Sequence, residues 1–441
     1  MRKFTVLLLA GGRGDRMWPL KTCKCLLPFA GKPIIRYIFD DLKVAGFDEF
    51  KIVTDRQSLN QLKASFKNEQ SKIKFYIQKN IAGMAGAVLS VDDFGSNALV
   101  VVNPEDLLES KIYVDFLKKC QKTASDFVLT GIHQKKYFPG GYYLLEGEKI
   151  TGLVEKPSEG NQPSNYLNLV LHCFLNPAVF IEQLKQTTSD KDDVYEMAVD
   201  RMIKKGIKTE IFKYDGYWQT LKYPWHILEM MKLIFSKRLR EDISTNAHIS
   251  NKTIIKGKVV IENGATIMEG ACLVGPAYIG SGTIIGTNSL VRESNIGPNC
   301  VVGFSSEVAR SWVGPNCWFH TNYIGDSVLQ EDISFGSGAV TANYRLDQCE
   351  ISVKKDNRKL PTGRIKFGAV IGSHVRVGVN ASLMPGLLIG QDSFIGSGVV
   401  LAENLLENKF CSLDRRSLLI KDIHKKEELL TKDKLDATAV K

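Results

Sequence analysis

The residues with the plainest chemical use stand near the start of the chain. Leu8-Leu9-Ala10-Gly11-Gly12-Arg13-Gly14-Asp15-Arg16-Met17 follows an apolar run. Its small residues would let backbone amides come close to a phosphate chain. Such a loop alone could equally be a tight strand-to-helix turn, but Cys23-Lys24-Cys25-Leu26-Leu27-Pro28-Phe29-Ala30-Gly31-Lys32-Pro33 follows at short range and brings a lysine with it. A second candidate lies far downstream: His320, in Trp318-Phe319-His320-Thr321-Asn322-Tyr323-Ile324-Gly325-Asp326. Ser306-Glu307-Val308 precedes this run, and Thr341-Ala342-Asn343-Tyr344 follows it. A lone histidine in a repeat is more often a surface residue than a base, so its company has to make the case.

The elements that must position these residues change character along the chain. Over 1–240, apolar β-rich runs (FTVLLLA, EFKIVT, KFYIQ, ALVVVN) alternate with helical stretches, one of them near Ile34 to Ala45. Such alternation predicts an α/β domain with a mostly parallel sheet covered on both faces. Beyond about Ile243, apolar residues recur at every sixth position, through Ile255, Ile261, Ile267, Leu273, Ile279, Ile285 and Val291, with turn residues between them. This period predicts a three-sided parallel coil over 241–410 with a stacked core. The repeat loosens around 305–325 and again at 344–367, which reads as two insertions on the coil. The remainder, 411–441, is a charged tail and reads as a short solvated helix with a frayed end.

At 441 residues the chain is long enough for two to three domains, and 44% hydrophobic content suits a packed globular protein. A net charge of +10 without a long basic block argues against a nucleic-acid groove and suits phosphorylated small substrates equally well. The nine cysteines are odd in number and show no CxxC pairing. They are expected to be reduced thiols in a cytoplasmic compartment and not metal ligands. No apolar run approaches the ~20 residues of a membrane helix, so no membrane is expected. The opening MRKFTVLLLAGG has a basic start and an apolar run, yet it leads straight into GGRGDR, and export is not expected.

Taken together, the glycine loop, the lysine before Leu26-Leu27-Pro28 and the Gly31-Lys32-Pro33 turn resemble the signature of the sugar-phosphate nucleotidyltransferases. Further segments agree in order: Gln78 with Gly83, the strand ending at Asn103, Gly140-Gly141, Glu155-Lys156-Pro157, Ser164-Asn165-Tyr166, and Tyr217-Trp218 ahead of Pro224-Trp225. The resemblance implies a Rossmann-like domain that displaces pyrophosphate from a nucleoside triphosphate, UTP or dTTP, with a sugar 1-phosphate. It implies that Leu9, Ala10, Gly11 and Gly12 bind the nucleotide, that Gln78 and Gly83 meet a pyrimidine base, and that Arg16 and Lys24 sit on the phosphates. Gly140, Glu155, Lys156 and Asn168 would hold the sugar phosphate. Mg²⁺ is implied as well, but the family's usual aspartate after the VVN strand reads Asn103-Pro104-Glu105-Asp106, which leaves Glu105 and Asp106 as candidate ligands. The second aspartate, after Tyr-Trp, is replaced by Gln219-Thr220.

The coil resembles the acetyltransferase half of bifunctional UDP-N-acetylglucosamine synthases of the single-chain archaeal type, with FGAVIG and SLMPG near its end. The resemblance implies a left-handed parallel β-helix and acetyl-CoA as co-substrate. It implies His320 as a general base, Arg292, Tyr323, Asn343 and Tyr344 at the amino-sugar phosphate, and backbone around Ser337 and Ser373 at acetyl-CoA. The family lysine after the Val-Glu pair reads Ala309 with Arg310 beside it. A homotrimer is implied, with the acetyl-CoA site between neighbouring chains. Two other functions stay open at this point: a degenerate sugar-nucleotide binder or scaffold, and a guanylyl- or adenylyltransferase carrying a structural coil.

Overall fold

The structure is a computed structural model and describes residues 2–12, 14–79, 83–356, 358–414 and 418–422. Its residues divide into two compact units. The first comprises Met1–Gly14, Thr22–Pro28 and Lys32–Leu221; the second comprises Asp15–Lys21, Phe29–Gly31 and Lys222–Lys441. This division differs from a boundary at 240, because the helix His226–Lys237 counts with the coil. Trp225 at its start packs against Phe367, with ring centroids 6.5 Å apart.

In the first unit, β1 (Phe4–Ala10) is buried at every position, as a central strand covered on both faces must be. Helix α1 (Ile34–Ala45) buries Ile34, Ile35, Ile38, Phe39 and Leu42 along one stripe and ends at Gly46 in a left-handed conformation. Strands β2 (Glu49–Thr54) and β3 (Ile73–Ile77), connected through α2 (Leu59–Ser65), extend the sheet on one side of β1, and β4 (Ala98–Val102), which follows α3 (Gly83–Leu89), joins β1 on the other. These four strands are parallel, in the order β4-β1-β2-β3. The chain therefore reverses its direction of growth between β1 and β4, and ligands of open α/β sheets bind beyond the carboxyl ends of the strands at such a point. Beyond β4, the short β5 (Asp106–Leu108) precedes α4 (Ser110–Lys122), and β6 (Phe127–His133), β7 (Gly141–Glu146), β8 (Lys149–Glu155), β9 (Tyr166–Phe174) and α5 (Pro177–Lys185) follow. β9 runs antiparallel to β4, β6 and β7, α6 (Val194–Lys204) packs on β8, β10 (Thr209–Tyr214) joins β6 in parallel, and β11 (Trp218–Thr220) pairs antiparallel with β5.

In the second unit, strands of two or three residues stack into three parallel sheets. One ladder runs Ile261, Ile279, Ile296, Val313, Leu329, Ile371, Ile389, each paired with the next and all buried. Asn288, Asn299, Asn316 and Asn380 turn corners with positive φ, which asparagine tolerates better than most residues.

Two sequence expectations are corrected here. Residues 305–325 hold regular rungs (Glu307–Ala309, Trp312–Val313, Trp318–Phe319, Tyr323–Gly325) and no insertion. The period loosens because rungs shorten: Ile267 pairs with Ile285, but Ile285 pairs with Val302, Val302 with Phe319 and Phe319 with Phe335. Residues 344–367 do hold an insertion, an antiparallel hairpin of Ile351–Lys355 and Arg358–Arg364. The tail does not begin as a helix at 411. Lys409–Leu413 forms the next rung on Phe394–Ile395, and Leu418–Asp422 pairs antiparallel with it, covering a strand edge the coil would otherwise leave open. Residues 423–441 lie outside the described residues.

Candidate active sites

In the first unit the nucleotide candidates gather at the carboxyl ends of β1 and β4. Leu9 and Ala10 end β1 and are buried, and Gly12 is exposed just beyond them. Gly11 has no room for a side chain: a Cβ there would fall 2.1 Å from Gln78 Oε1. Gln78 Nε2 in turn donates to the carbonyl of Gly83 at 3.1 Å. Lys24 sits in a short helical turn, where its ammonium pairs with the Glu105 carboxylate and donates to the Leu221 carbonyl at 3.3 Å. Both partners of the pair are mostly buried, and a charge pair in such surroundings is less screened than one at the surface.

Asp106, at the start of β5, lies opposite Thr220 of β11. Asn103 Nδ2 donates to Asp106 Oδ2 at 3.0 Å, whereas Oδ1 is buried with no hydrogen-bond partner. Burial pushes this carboxyl up to about 6, against the polar side chains of Thr220, Trp218 and Asn103, while Glu105 raises it further. Among the described residues no group of three or more His, Cys, Asp or Glu side chains could hold a metal ion by itself. Cys23 and Cys25 flank Lys24 with sulfurs 3.3 Å apart. The hydrogen bond between them lowers the Cys23 thiol and, helped by burial, raises that of Cys25. All nine cysteines are free.

The sugar candidates gather at β7, β8 and β9. A Cβ at Gly141 would lie 2.9 Å from Glu155 Oε2 and 3.4 Å from Asn168 Cβ, so bare backbone here lets the carboxylate and the amide approach. Lys156 donates its backbone N–H to Gly140 at 3.1 Å and pairs with Glu155 at 2.8 Å. Behind Asn168 stands a buried polar group that sequence reading missed: Tyr143, His172 and Tyr195. Nothing in the pattern of β9 singles out His172, which falls among buried apolar neighbours in an apolar strand.

In the second unit, Arg16 is exposed on a short turn, Asp15–Met17, and Lys355 donates to the carbonyl of Asp15 at 2.9 Å. His320 is exposed and follows the regular strand Trp318–Phe319, which corrects its expected place in an insertion. Its carbonyl accepts the Ser306 hydroxyl at 3.0 Å, and among the described residues nothing hydrogen-bonds its ring. Tyr323 and Asn343 meet, with Asn343 Nδ2 donating to the Tyr323 oxygen at 3.1 Å and to Asp326 at 2.5 Å. Asp326, 1% exposed, is the hub here, and no spacing or motif singled it out. Arg310 binds it through two bonds, 2.8 and 2.6 Å, and Arg364 approaches to 3.5 Å. The carboxylate holds the Arg310 guanidinium even more firmly charged than usual. Arg292 is paired with Glu307 at 2.6 Å, and Tyr344 stands 40% exposed under Lys366. Ser337 and Ser373 use their carbonyls in the coil ladder, accepting from Asn380 and Asp392 at 3.0 and 2.9 Å. The Ser373 hydroxyl donates to Glu331 at 3.4 Å.

An open parallel sheet with a glycine loop at its switch point, and a coil of six-residue repeats, define a class that the comparisons with known proteins bear out. Residues 5–221 match the nucleotidyl transferase family, and residues 368–403 match the bacterial transferase hexapeptide family of six repeats. The coil is accordingly a left-handed parallel β-helix. Full-length relatives go further. The chain is 30% identical over 418 residues to the "Bifunctional protein GlmU" of Methanocaldococcus jannaschii, covering 92% of this chain and 96% of that one. It is 29% identical over 412 residues to the "Bifunctional sugar-1-phosphate nucleotidylyltransferase/acetyltransferase" of Sulfurisphaera tokodaii, covering 91% and 98%. This chain belongs to that family of bifunctional, GlmU-type proteins.

Proposed function

We propose that the protein is a bifunctional transferase. Its coil acetylates an amino-sugar 1-phosphate with acetyl-CoA, and its sheet unit joins the product to UTP or dTTP with release of pyrophosphate. The observation that carries the reading is the Lys24–Glu105 pair beside buried Asp106, at the carboxyl ends of the strands where the sheet reverses its growth. In the nucleotidyl step a phosphate oxygen of the sugar 1-phosphate attacks the α-phosphorus, and the bond to the bridging oxygen of pyrophosphate breaks. Little covalent help is needed, so placement and charge set the rate. Lys24, held extended by Glu105, exchanges that partner for the α-phosphate. Gly11 and Gly12 bring backbone amides to the phosphates, and Gln78 faces the base. Glu155 and Asn168 orient the sugar.

A magnesium ion takes most of its ligands from phosphates and water and needs only one or two carboxylates from the protein. The bare buried Oδ1 of Asp106, with Glu105 next to it, suits that limited demand. When bound, such an ion draws charge from the phosphates.

On the coil, the amine of the sugar attacks the thioester carbonyl, His320 accepts the amine proton and passes it to the departing sulfur as the C–S bond breaks, so CoA leaves as the thiol. Tyr323, Asn343 and Tyr344 contact the sugar, Arg292 its phosphate, and backbone near Ser337 and Ser373 the pantetheine arm. Among the described residues no hydrogen bond orients the His320 ring, which fits an acetyl-CoA site completed by a second chain in a cytoplasmic homotrimer. Light scattering at micromolar concentration is expected to give three times the monomer mass, and a monomer would refute the trimer. The deciding assay is pyrophosphate release from each NTP with glucose-, N-acetylglucosamine-, galactosamine- and mannose-1-phosphate, beside CoA release with the corresponding amines. Turnover with neither would overturn the proposal.

A further inference from the structure

We infer that His172 is a positioning residue of the sugar end: with Tyr143 and Tyr195 it fixes the Asn168 carboxamide so that its two N–H groups face outward, toward an acceptor oxygen on the sugar. The inference rests on the reading of Asn168 as a sugar contact.

The geometry starts from a defect in the sheet. β9 pairs with β6 from Tyr166 to Leu169, then shifts register and resumes at Cys173. In a straight strand, residues 168 and 172 would stand about 13 Å apart along the axis, too far for two side chains directed outward to meet. Across the irregularity, His172 Nε2 lies 2.8 Å from Asn168 Oδ1. Bulges commonly redirect a side chain in this way beside functional sites.

The protons then follow. Asn168 Oδ1 also lies 2.5 Å from the Tyr143 hydroxyl, and an amide oxygen only accepts, so both partners donate to it; the single proton of Tyr143 goes to this shorter contact and not to the Thr130 carbonyl at 3.2 Å. Burial drives the His172 imidazole down to about 3, against the Leu169 backbone, which raises it, so the ring is neutral at any working pH; because Asn168 Oδ1 only accepts, its single N–H is the one on Nε2. Nδ1 is then an acceptor, and the Tyr195 hydroxyl stands 3.0 Å from it. Tyr195, reaching in from α6, thereby sets the tautomer of His172, and His172 sets the face of Asn168. With its oxygen held by Tyr143 and His172, the half-buried Asn168 keeps its amide nitrogen unused: among the described residues nothing takes those two protons, and the side chain starts beside Gly141, whose bare backbone leaves room there. Such a donor pair suits a hydroxyl oxygen or a carbonyl on the sugar ring and would reject a substituent that offers only hydrogens.

Calorimetric binding of UDP-N-acetylglucosamine against UDP tests this without requiring turnover, because the difference isolates the sugar. His172→Phe keeps the volume and removes the donor; it is expected to weaken UDP-N-acetylglucosamine about tenfold and leave UDP within twofold. Tyr195→Phe deletes only a hydroxyl, releases the proton on Nε2 to move to Nδ1, and should weaken the sugar nucleotide about threefold with UDP again unchanged. Asn168→Ala is the control. If it weakens the sugar nucleotide while His172→Phe and Tyr195→Phe bind like wild type, the positioning role is overturned and the sugar contact stands. If Asn168→Ala itself binds like wild type, the sugar contact falls and the inference falls with it. Loss of UDP binding in His172→Phe would mark damage to the fold at large, and Tyr195→Phe then decides on the same criteria.

Discussion

In the sheet unit, Lys24 and Glu105 meet from positions 81 residues apart, and Asn168 rests on a buried group drawn from β7, β9 and α6. On the coil, Arg310 and Asn343 reach Asp326 from 16 and 17 residues away, about one turn of the stack on either side. The sheet unit fixes its polar residues by tertiary packing behind them. The coil can only set them side by side along its surface, because each rung touches its neighbours and little else. What an α/β core supplies from behind, a coil has to obtain by ion pairs along its face or from another chain. His320, exposed and, among the described residues, without a hydrogen bond to its ring, is where the coil falls short of the sheet unit.

The sharpest break between the two regions is His320→Ala. It is expected to lower CoA release from acetyl-CoA plus glucosamine- or galactosamine-1-phosphate by about a thousandfold, within the range for losing a general base, and to leave pyrophosphate release unchanged. A base works only within hydrogen-bond reach of its proton. If CoA release stays within a few-fold of wild type at an unaltered melting temperature, His320 is a surface residue of the repeat and the coil is structural.

Lys24→Ala is the converse and should be smaller. Removing one charge aimed at a transition state costs ~3 kcal/mol, about a hundredfold in rate. Pyrophosphate release should fall by that factor while CoA release holds. Glu105 is left mostly buried without its partner, so a lower melting temperature is expected as well, and the rate is compared at a temperature where both proteins are folded. A fall of less than threefold would show that Glu105 holds Lys24 as a structural pair, and the reading of the sheet unit as a catalyst would lose its main support.

The two regions also differed in what their sequences disclosed. The glycine loop, Lys24 and the strands β1 to β4 were legible because motif and local period coincide there. The coil was legible for the same reason as long as its rungs kept eighteen residues, as between Ile267 and Ile285. Where Val302 pairs with Phe319 and Phe319 with Phe335, single residues drop out at the corners, and a fixed period reads this as an insertion although the inward side chains never leave the core. His172 and Asp326 were hidden for another reason. Each matters through partners brought in by folding, His172 through a register shift and Asp326 through the hairpin arginine Arg364, and neither leaves a trace in spacing.

A change in stability, with neither activity touched, tests the claim that the sheet unit stores its polar order in the interior. Glu196, on α6, is nearly buried, and burial, with the charge of Glu155 next in weight, raises its carboxyl to about 8 from an ordinary 4.5. A raised carboxyl means that the folded protein binds this proton more tightly than the unfolded chain does. Between about 4.5 and 8 the unfolded chain releases the proton and the folded protein retains it, so stability falls as pH rises through that window and levels off above it. The full drop amounts to a few kcal/mol. Glu196→Gln keeps the shape, removes the proton equilibrium and should flatten this slope: its melting temperature should match wild type near pH 5 and exceed it at pH 8.5. The comparison is between slopes, so other titrating groups cancel. Parallel curves for the two proteins across that range would mean that Glu196 meets water or a cation in solution, and that the interior of the sheet unit is less closed than its packing indicates.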